Sequence, residues 1–172
     1  LGIRGCAISL PYKEEVIALV DRMDASESAI DSVNTIVNDD GVLTAYNTDY
    51  AAIAQLIASH GIDPAARVLL RGSGGMAKAT AAAFRDAGFR DVTIIARSQE
   101  RGRALADLYD FAWIAEPGDS TADVLVNVTP IGMAGGIEEH ALSFSEEAIA
   151  AARVVFDVVA LPAETPLISA GR

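Results

Sequence analysis

The sequence is poor in several things at once. Its 172 residues hold one cysteine, Cys6, so no internal disulfide framework can form, which fits a reducing cytoplasm. No apolar run approaches the ~18 residues needed to span a bilayer, and no signal-peptide pattern opens the chain. Positive charge is scarce: 13 Lys and Arg stand against 24 Asp and Glu, a net charge of −11, and there is no basic run. Nucleic acid and anionic membrane surfaces are therefore poor partners, and an anionic ligand would need local positive charge. His60 and His140 have no ligand-spaced partners, which predicts no metal. The chain also lacks an initial methionine and opens at Leu1 straight into an apolar segment, so a missing preceding segment is expected. Apolar residues, by contrast, are plentiful. At 51% they argue against disorder and allow a sizeable core, in one large domain or two small lobes.

The most informative stretch is residues 68–79, Val-Leu-Leu-Arg-Gly-Ser-Gly-Gly-Met-Ala-Lys-Ala. An apolar run ends at Leu70, glycines follow at Gly72, Gly74 and Gly75, and a helix-forming run begins near Met76. Spelled from Gly72 this is G-x-G-x-x-A, the small-residue form of the dinucleotide fingerprint. One glycine makes the strand-to-helix turn, a second admits backbone N–H groups to a pyrophosphate, and Ala77 lets the helix pack close to the strand. The phosphate would sit at the helix N-terminus. Ser73 and Met76 complete the loop. An ordinary strand-to-helix turn would look similar, so context decides.

The context is a regular alternation. Strands are expected at 67–71, 92–96, 111–115 (weak), 123–128 and 154–160. Helices are expected at 76–87, from Arg97-Ser98 to about Asp110, and at 145–152. In helix 76–87, Ala77, Thr80, Ala81 and Phe84 would face the sheet. This pattern predicts a Rossmann-type, doubly wound parallel sheet with ligand loops along one edge. An acid that would bond an NAD ribose is missing at the end of the second strand. Arg97, Ser98 and Arg101 stand there instead, and guanidinium forks suit a 2′-phosphate. The reading is NADP, with NAD as the second choice; the plain alternative is surface arginines on an acidic protein.

Before the alternation, residues 3–9 read as a strand stopped by Leu10-Pro11. Residues 12–23 read as a helix with Val16, Leu19, Val20 and Met23 on one face. Runs 32–38 and 42–47, joined by Asp39-Asp40-Gly41, read as a hairpin. A helix over 50–60 carries Ile53, Leu56 and Ile57 on one face. Lys13 would lie in a first helical turn, where the macrodipole disfavours a cation. It is either a solvated lysine offset by Glu14 and Glu15 or an ammonium readied for proton transfer. Asp49 is either a helix cap or a chemical partner. Cys6 reads as a packed strand residue rather than a nucleophile, and a buried core position is the plain reading of Met133.

Taken together, these segments resemble shikimate dehydrogenases, and more closely their shikimate dehydrogenase-like paralogues. The resemblance rests on Gly-Cys-Ala-Ile-Ser-Leu-Pro-Tyr-Lys at 5–13, Val33-Asn34-Thr35, Asn47-Thr48-Asp49 and the glycine loop. It continues through Ala96–Arg101, Asn127–Met133 and Asp157–Leu167. It implies a Rossmann-type domain preceded by part of a smaller α/β substrate-binding lobe. The expected division is a partial substrate-binding domain at 1–48, a linker helix at 49–61, an NADP-binding domain at 62–162, and a return segment at 163–172. The implied reaction is the reversible reduction of 3-dehydroshikimate to shikimate with NADPH, on the route to chorismate and the aromatic amino acids, in the cytoplasm. The resemblance implies Lys13 and Asp49 as the catalytic pair and Ser9 and Asn34 as further substrate ligands. It implies Gly72, Ser73, Gly74, Gly75, Met76, Ala77, Arg97, Ser98, Arg101, Thr129 and Met133 as cofactor ligands. The protein would be a monomer or homodimer with a small-molecule substrate.

The sequence departs from the family at Ala7, Ser9, Ala45 and Ala160, and family segments at both ends have no counterpart. Weak turnover is therefore expected of these residues alone. A quinate or shikimate dehydrogenase using NAD, and a nucleotide-binding module without catalysis, are the alternatives. An enzyme acting on folate or another small substrate is disfavoured by the Asn-Thr-Asp and Thr-Pro-Leu-Ile motifs.

Overall fold

The computed structural model describes residues 2–9, 12–23, 30 and 32–172. The chain divides into two compact units, one of residues 1–61 with 78–87 and one of residues 62–77 with 88–172.

The second unit carries the doubly wound parallel sheet. Its strands are β5 (Val68–Arg71), β6 (Val92–Ile95), β7 (Ala112–Ile114), β8 (Val124–Asn127) and β9 (Val154–Asp157), all parallel, in the order β7-β6-β5-β8-β9. Strand order reverses at β5, so the C-terminal ends of β5 and its neighbours frame the crevice where such sheets take ligands. The central strands are apolar along their length because both faces are covered. Leu69, Ile95 and Leu125 pack with Phe144, Ile149 and Leu167 in one buried cluster. Helix α2 (Gly75–Asp86) starts at the glycine turn, and Ala77, Thr80, Ala81 and Phe84 on it are buried, as the periodicity predicts.

Helix α3 (Gln99–Tyr109) is capped by Ser98, whose Oγ accepts from the Arg101 N–H. A Cβ on Gly102 of α3 would fall 2.2 Å from Trp113 Nε1, so only glycine lets β7 and the helix approach so closely. The same Nε1 donates to the Ala96 carbonyl at 3.1 Å, and the Arg103 guanidinium lies 5.0 Å over the Trp113 ring. Helix α4 (Glu146–Ala151) is capped by Ser145, and a further short helix, α5 (Pro166–Ala170), is capped by Thr165 within the stretch expected only as a return segment.

The first unit holds a smaller sheet in the order β1-β3-β4-β2, from β1 (Gly5–Ala7), β2 (Arg22–Met23), β3 (Thr35–Asp39) and β4 (Val42–Tyr46). The hairpin between β3 and β4 is as predicted. Asp40 and Gly41 both take positive φ, 49° and 94°, which is the backbone a tight hairpin turn demands. Helix α1 (Thr48–His60) buries Ile53 and Ile57 and ends at Gly61 with φ 57°, but Leu56 turns outward.

Residues 12–23 differ from the expected helix. A 3-10 turn covers Glu15–Leu19, Val20 is extended, and β2 then pairs parallel with β4. Val16, Ile17, Val20 and Met23 pack on Val33, Ile36 and Ala45, while Leu19 is 71% exposed. Inward residues at 17, 20 and 23 fit a three-residue period followed by a strand as well as they fit an α-helix, so spacing alone could not separate the two. Leu10-Pro11, read as the stop of the first strand, lies outside the described residues. Cys6 is in β1 as expected, but exposed rather than packed, because β1 is an edge strand whose three residues are all exposed.

Candidate active site

The first cluster is built on Lys13 and Asp49, 36 residues apart in the chain. Lys13 Nζ donates to Asp49 Oδ2 at 3.2 Å, with the two side chains 20% and 28% exposed: sheltered, yet open to a small molecule. Two expectations need correction here. Lys13 does not sit in the first turn of an α-helix, because the helical segment after it is the short 3-10 turn, so no macrodipole argument applies to it. Asp49 does not cap α1. Asn47 does, accepting from the Tyr50 N–H at 3.0 Å, which frees the Asp49 carboxylate for Lys13. Asparagine is as good a cap as aspartate, and this signal was present in Asn-Thr-Asp.

The segments bearing the pair are fastened by residues 32–34. The Asn47 side-chain amide donates to the Ser32 carbonyl at 2.7 Å, and the Val33 N–H donates to the Lys13 carbonyl at 2.9 Å. Asn34 accepts from Thr48 N at 3.0 Å, and its amide donates to Thr48 Oγ1 at 2.9 Å. Asn34 is thus tied to the residue beside Asp49. Ser9 is exposed, and its carbonyl accepts from the Tyr12 N–H. Of the departures, Ala45 is fully buried in the small core, whereas Ala7 and Ala160 are exposed.

The second cluster lies along the C-terminal edge of the parallel sheet. Gly72 has φ 137°, its N–H donates to Ile95 O at 2.9 Å, and a Cβ there would meet Val128 Cγ2 at 2.6 Å. The turn is therefore closed against the loop after β8. Gly74 has open space where a Cβ would point, Ala77 is fully buried, and Ser73, Gly75 and Met76 are half-buried. The first N–H groups of α2 have no acceptor within their own helix. Arg97, Ser98 and Arg101 are all exposed where β6 runs into α3.

Arg71, the last residue of β5, was not singled out by sequence reasoning. Its guanidinium donates to Glu116 Oε2 at 3.3 Å and to the Ser143 carbonyl. Burial lowers its pKa from the ordinary arginine value, Glu116 and Glu138 raise it, and the nearby charge of Arg97 lowers it. It remains a cation, paired with Glu116 and close to Arg97 where β5 and β6 end.

Beyond β8, Thr129 Oγ1 donates to Asn127 Oδ1 at 2.6 Å, and the Asn127 amide donates to Asp157 Oδ1 at 3.0 Å and to the Ile131 carbonyl at 3.1 Å. Thr165 Oγ1 in turn donates to Asp157 Oδ2 at 2.7 Å. The loop that presents Met133 is thereby tied to β9 and to the cap of α5. Met133 itself is 41% exposed, not a core residue. Asn127, Asp157 and Thr165 lie in recognised motifs, but nothing in their spacing showed that they bond one another. Among the described residues no group of three His, Cys, Asp or Glu side chains is placed to hold a metal ion, and no helix is long and apolar enough to cross a membrane.

Two family models match in chain order: the shikimate dehydrogenase substrate binding domain over residues 1–36, and shikimate / quinate 5-dehydrogenase over residues 52–129. A shikimate dehydrogenase-like protein of Haemophilus influenzae is 53% identical over 98% of this chain and 62% of its own length. Among solved structures, shikimate 5-dehydrogenase from Thermus thermophilus in complex with NADP(H) and shikimate superposes with TM-score 0.84 at 27% identity, over 98% of this chain and 63% of that one. Quinate dehydrogenase from Corynebacterium glutamicum in complex with NAD gives TM-score 0.88 at 28% identity, over 99% and 64%. The chain therefore spans a little under two thirds of the length of these relatives. With the parallel sheet, the glycine turn and both matches in order, the chain belongs to the shikimate dehydrogenase family.

Proposed function

We propose that the protein is an NADP-dependent oxidoreductase of the shikimate type, interconverting 3-dehydroshikimate and shikimate in aromatic biosynthesis. In this reading residues 1–48 serve the substrate, 49–61 link, 62–162 bind NADP and 163–172 return toward the substrate-binding part. The protein acts in the cytoplasm as a monomer or homodimer. The observation that carries the proposal is the Lys13–Asp49 contact at 3.2 Å, sheltered but reachable.

The residues at the sheet edge fit a phosphorylated dinucleotide. Gly72 closes the turn against the loop after β8, Gly74 leaves open space at the start of α2, and the arginines give an otherwise acidic chain a local place for phosphate. When bound, the nicotinamide cofactor supplies or accepts a hydride. The N–H groups of Ser73, Gly74 and Gly75 would face the diphosphate, and Arg97, Ser98 and Arg101 the 2′-phosphate. Thr129 and Met133 would border the nicotinamide. In the direction of reduction the Lys13 ammonium gives a proton to the carbonyl oxygen as negative charge develops there. Asp49 holds that ammonium and accepts a substrate hydroxyl, with Asn34 and Ser9 bonding further hydroxyls.

A quinate or shikimate dehydrogenase using NAD is the second reading, supported by the likeness to the quinate dehydrogenase complex with NAD. A nucleotide-binding module without turnover is the third, supported by the exposed Ala160. One assay separates them: NADP and NAD reduction with shikimate and with quinate, on wild type and Lys13→Ala. The proposed function predicts activity with shikimate and NADP, falling about 10²–10⁴-fold in Lys13→Ala. Strong preference for NAD overturns the role of Arg97 and Arg101. Full activity of Lys13→Ala overturns the proton-donor assignment.

A further inference from the structure

Each member of the Lys13–Asp49 pair is followed in sequence by a residue that reaches the same helix. Glu14 Oε1 accepts from Lys78 Nζ at 2.5 Å, and Tyr50 OH donates to Asp86 Oδ2 at 2.8 Å. Lys78 and Asp86 both belong to α2, within the stretch 78–87 that clusters with the first unit. The chain has only two lysines, and both are committed to these contacts: Lys13 to Asp49, Lys78 to the residue beside Lys13.

Consecutive Cα atoms are held ~3.8 Å apart, so fastening Glu14 limits where Lys13 can go, and fastening Tyr50 limits Asp49. The anchor points are separated by two helical turns, roughly 12 Å along the axis at 1.5 Å per residue, so one rigid rod holds the two segments at different heights. The segments are already joined through residues 32–34, and two ties on one helix add a second, independent constraint on their relative height. Lys78 is well placed for this, with its side chain only 27% exposed, and Arg85 Nε donates to Asp86 Oδ1 at 2.7 Å, which orients the carboxylate toward Tyr50.

We infer that Lys78 and Asp86 are positioning residues that brace the acid–base pair through Glu14 and Tyr50. The inference rests on the reading of Lys13 and Asp49 as that pair. Each anchor acts through the neighbour it fastens, Lys78 through Glu14 and Asp86 through Tyr50. Each tie alone is a partly exposed polar contact of modest strength, so the effect lies in geometry rather than in stability.

The test uses the full chain and needs no turnover. Acetic anhydride at limiting concentration acetylates Lys13, and mass spectrometry of the peptide gives the rate; in Lys78→Met, Lys13 is the sole side-chain amine. With the brace cut, Lys13 leaves Asp49 more often. Acetylation should rise about two- to fivefold in Lys78→Met and in Asp86→Ala, each shown to be folded by circular dichroism. Lys78→Arg and Asp86→Asn keep a donor and an acceptor in place and should label at or near the wild-type rate. Wild-type labelling in both Lys78→Met and Asp86→Ala overturns the brace, and a rise in only one of them overturns its two-point form. A parallel assay with shikimate and NADP should show kcat falling by a similar factor in these variants, with KM for NADP unchanged. Absence of turnover in the wild type would count against the proposed reaction, while the labelling result would still decide the brace.

Discussion

The two units are held together by different forces. In the second, Leu69, Leu70, Ile94, Leu125 and Val126 are at most 3% exposed, and capped helices complete a cluster drawn from many segments. In the first, the small sheet buries Val33, Ile36 and Ala45 among half-buried residues, α1 buries Ile53 and Ile57, residues 78–87 bury Ala79, Ala81 and Phe84, and one edge strand is exposed throughout. Around Lys13 and Asp49 the first adds a lattice of directed bonds: Asn47 to Ser32, Asn34 to Thr48, Val33 to Lys13, Lys13 to Asp49. The difference teaches that in this chain the proposed acid–base pair is held by directed polar bonds beside the core rather than by apolar packing itself.

Mutations can break or sharpen that contrast. The largest effect is expected from Leu125→Ala, which empties the fully buried centre of the parallel sheet and should lower unfolding free energy by about 3 kcal/mol in urea titration. Gly102→Ala comes next. Its methyl would collide with the Trp113 indole, and a loss of about 1–3 kcal/mol should accompany a shift in tryptophan emission. Asn47→Ala removes a helix cap and the bond to Ser32, at about 1–2 kcal/mol, the largest polar effect expected in the first unit. Lys13→Met should change stability by less than about 1 kcal/mol, since the pair is partly solvated. If Lys13→Met destabilised more than Leu125→Ala, the division between apolar and polar support would be wrong.

The same contrast explains what the sequence made legible. Buried parallel strands are continuous apolar runs separated by helices, so the alternation from residue 67 onward maps directly onto β5 to β9. The hairpin at Asp40-Gly41 was equally plain, because few residues tolerate positive φ in succession. Residues 12–23 were not, since three-residue spacing fits two backbones and the choice was made by pairing of Arg22 and Met23 with β4. At the candidate site, Lys13 and Asp49 were singled out by residue type and motif, and the two stand 3.2 Å apart. The Asn127–Asp157–Thr165 chain of bonds and the burial of Arg71 depend on long-range packing, which no local pattern encodes. The same holds for the cap of α1: Asn47 and Asp49 are equally good caps by type, and the start of the helix at Thr48 makes Asn47 the cap.

Trp113 gives the sheet edge a voice of its own. It is the sole tryptophan of the chain, bonded to Ala96 immediately before Arg97, pressed on Gly102 and covered by Arg103. These three partners lie on the segment 96–103, from which Arg97, Ser98 and Arg101 project. Its emission is therefore an intrinsic optical gauge of that turn, needing no dye and no catalysis. Titrating NADP against NAD while watching one fluorophore would read directly whether the extra phosphate is felt there.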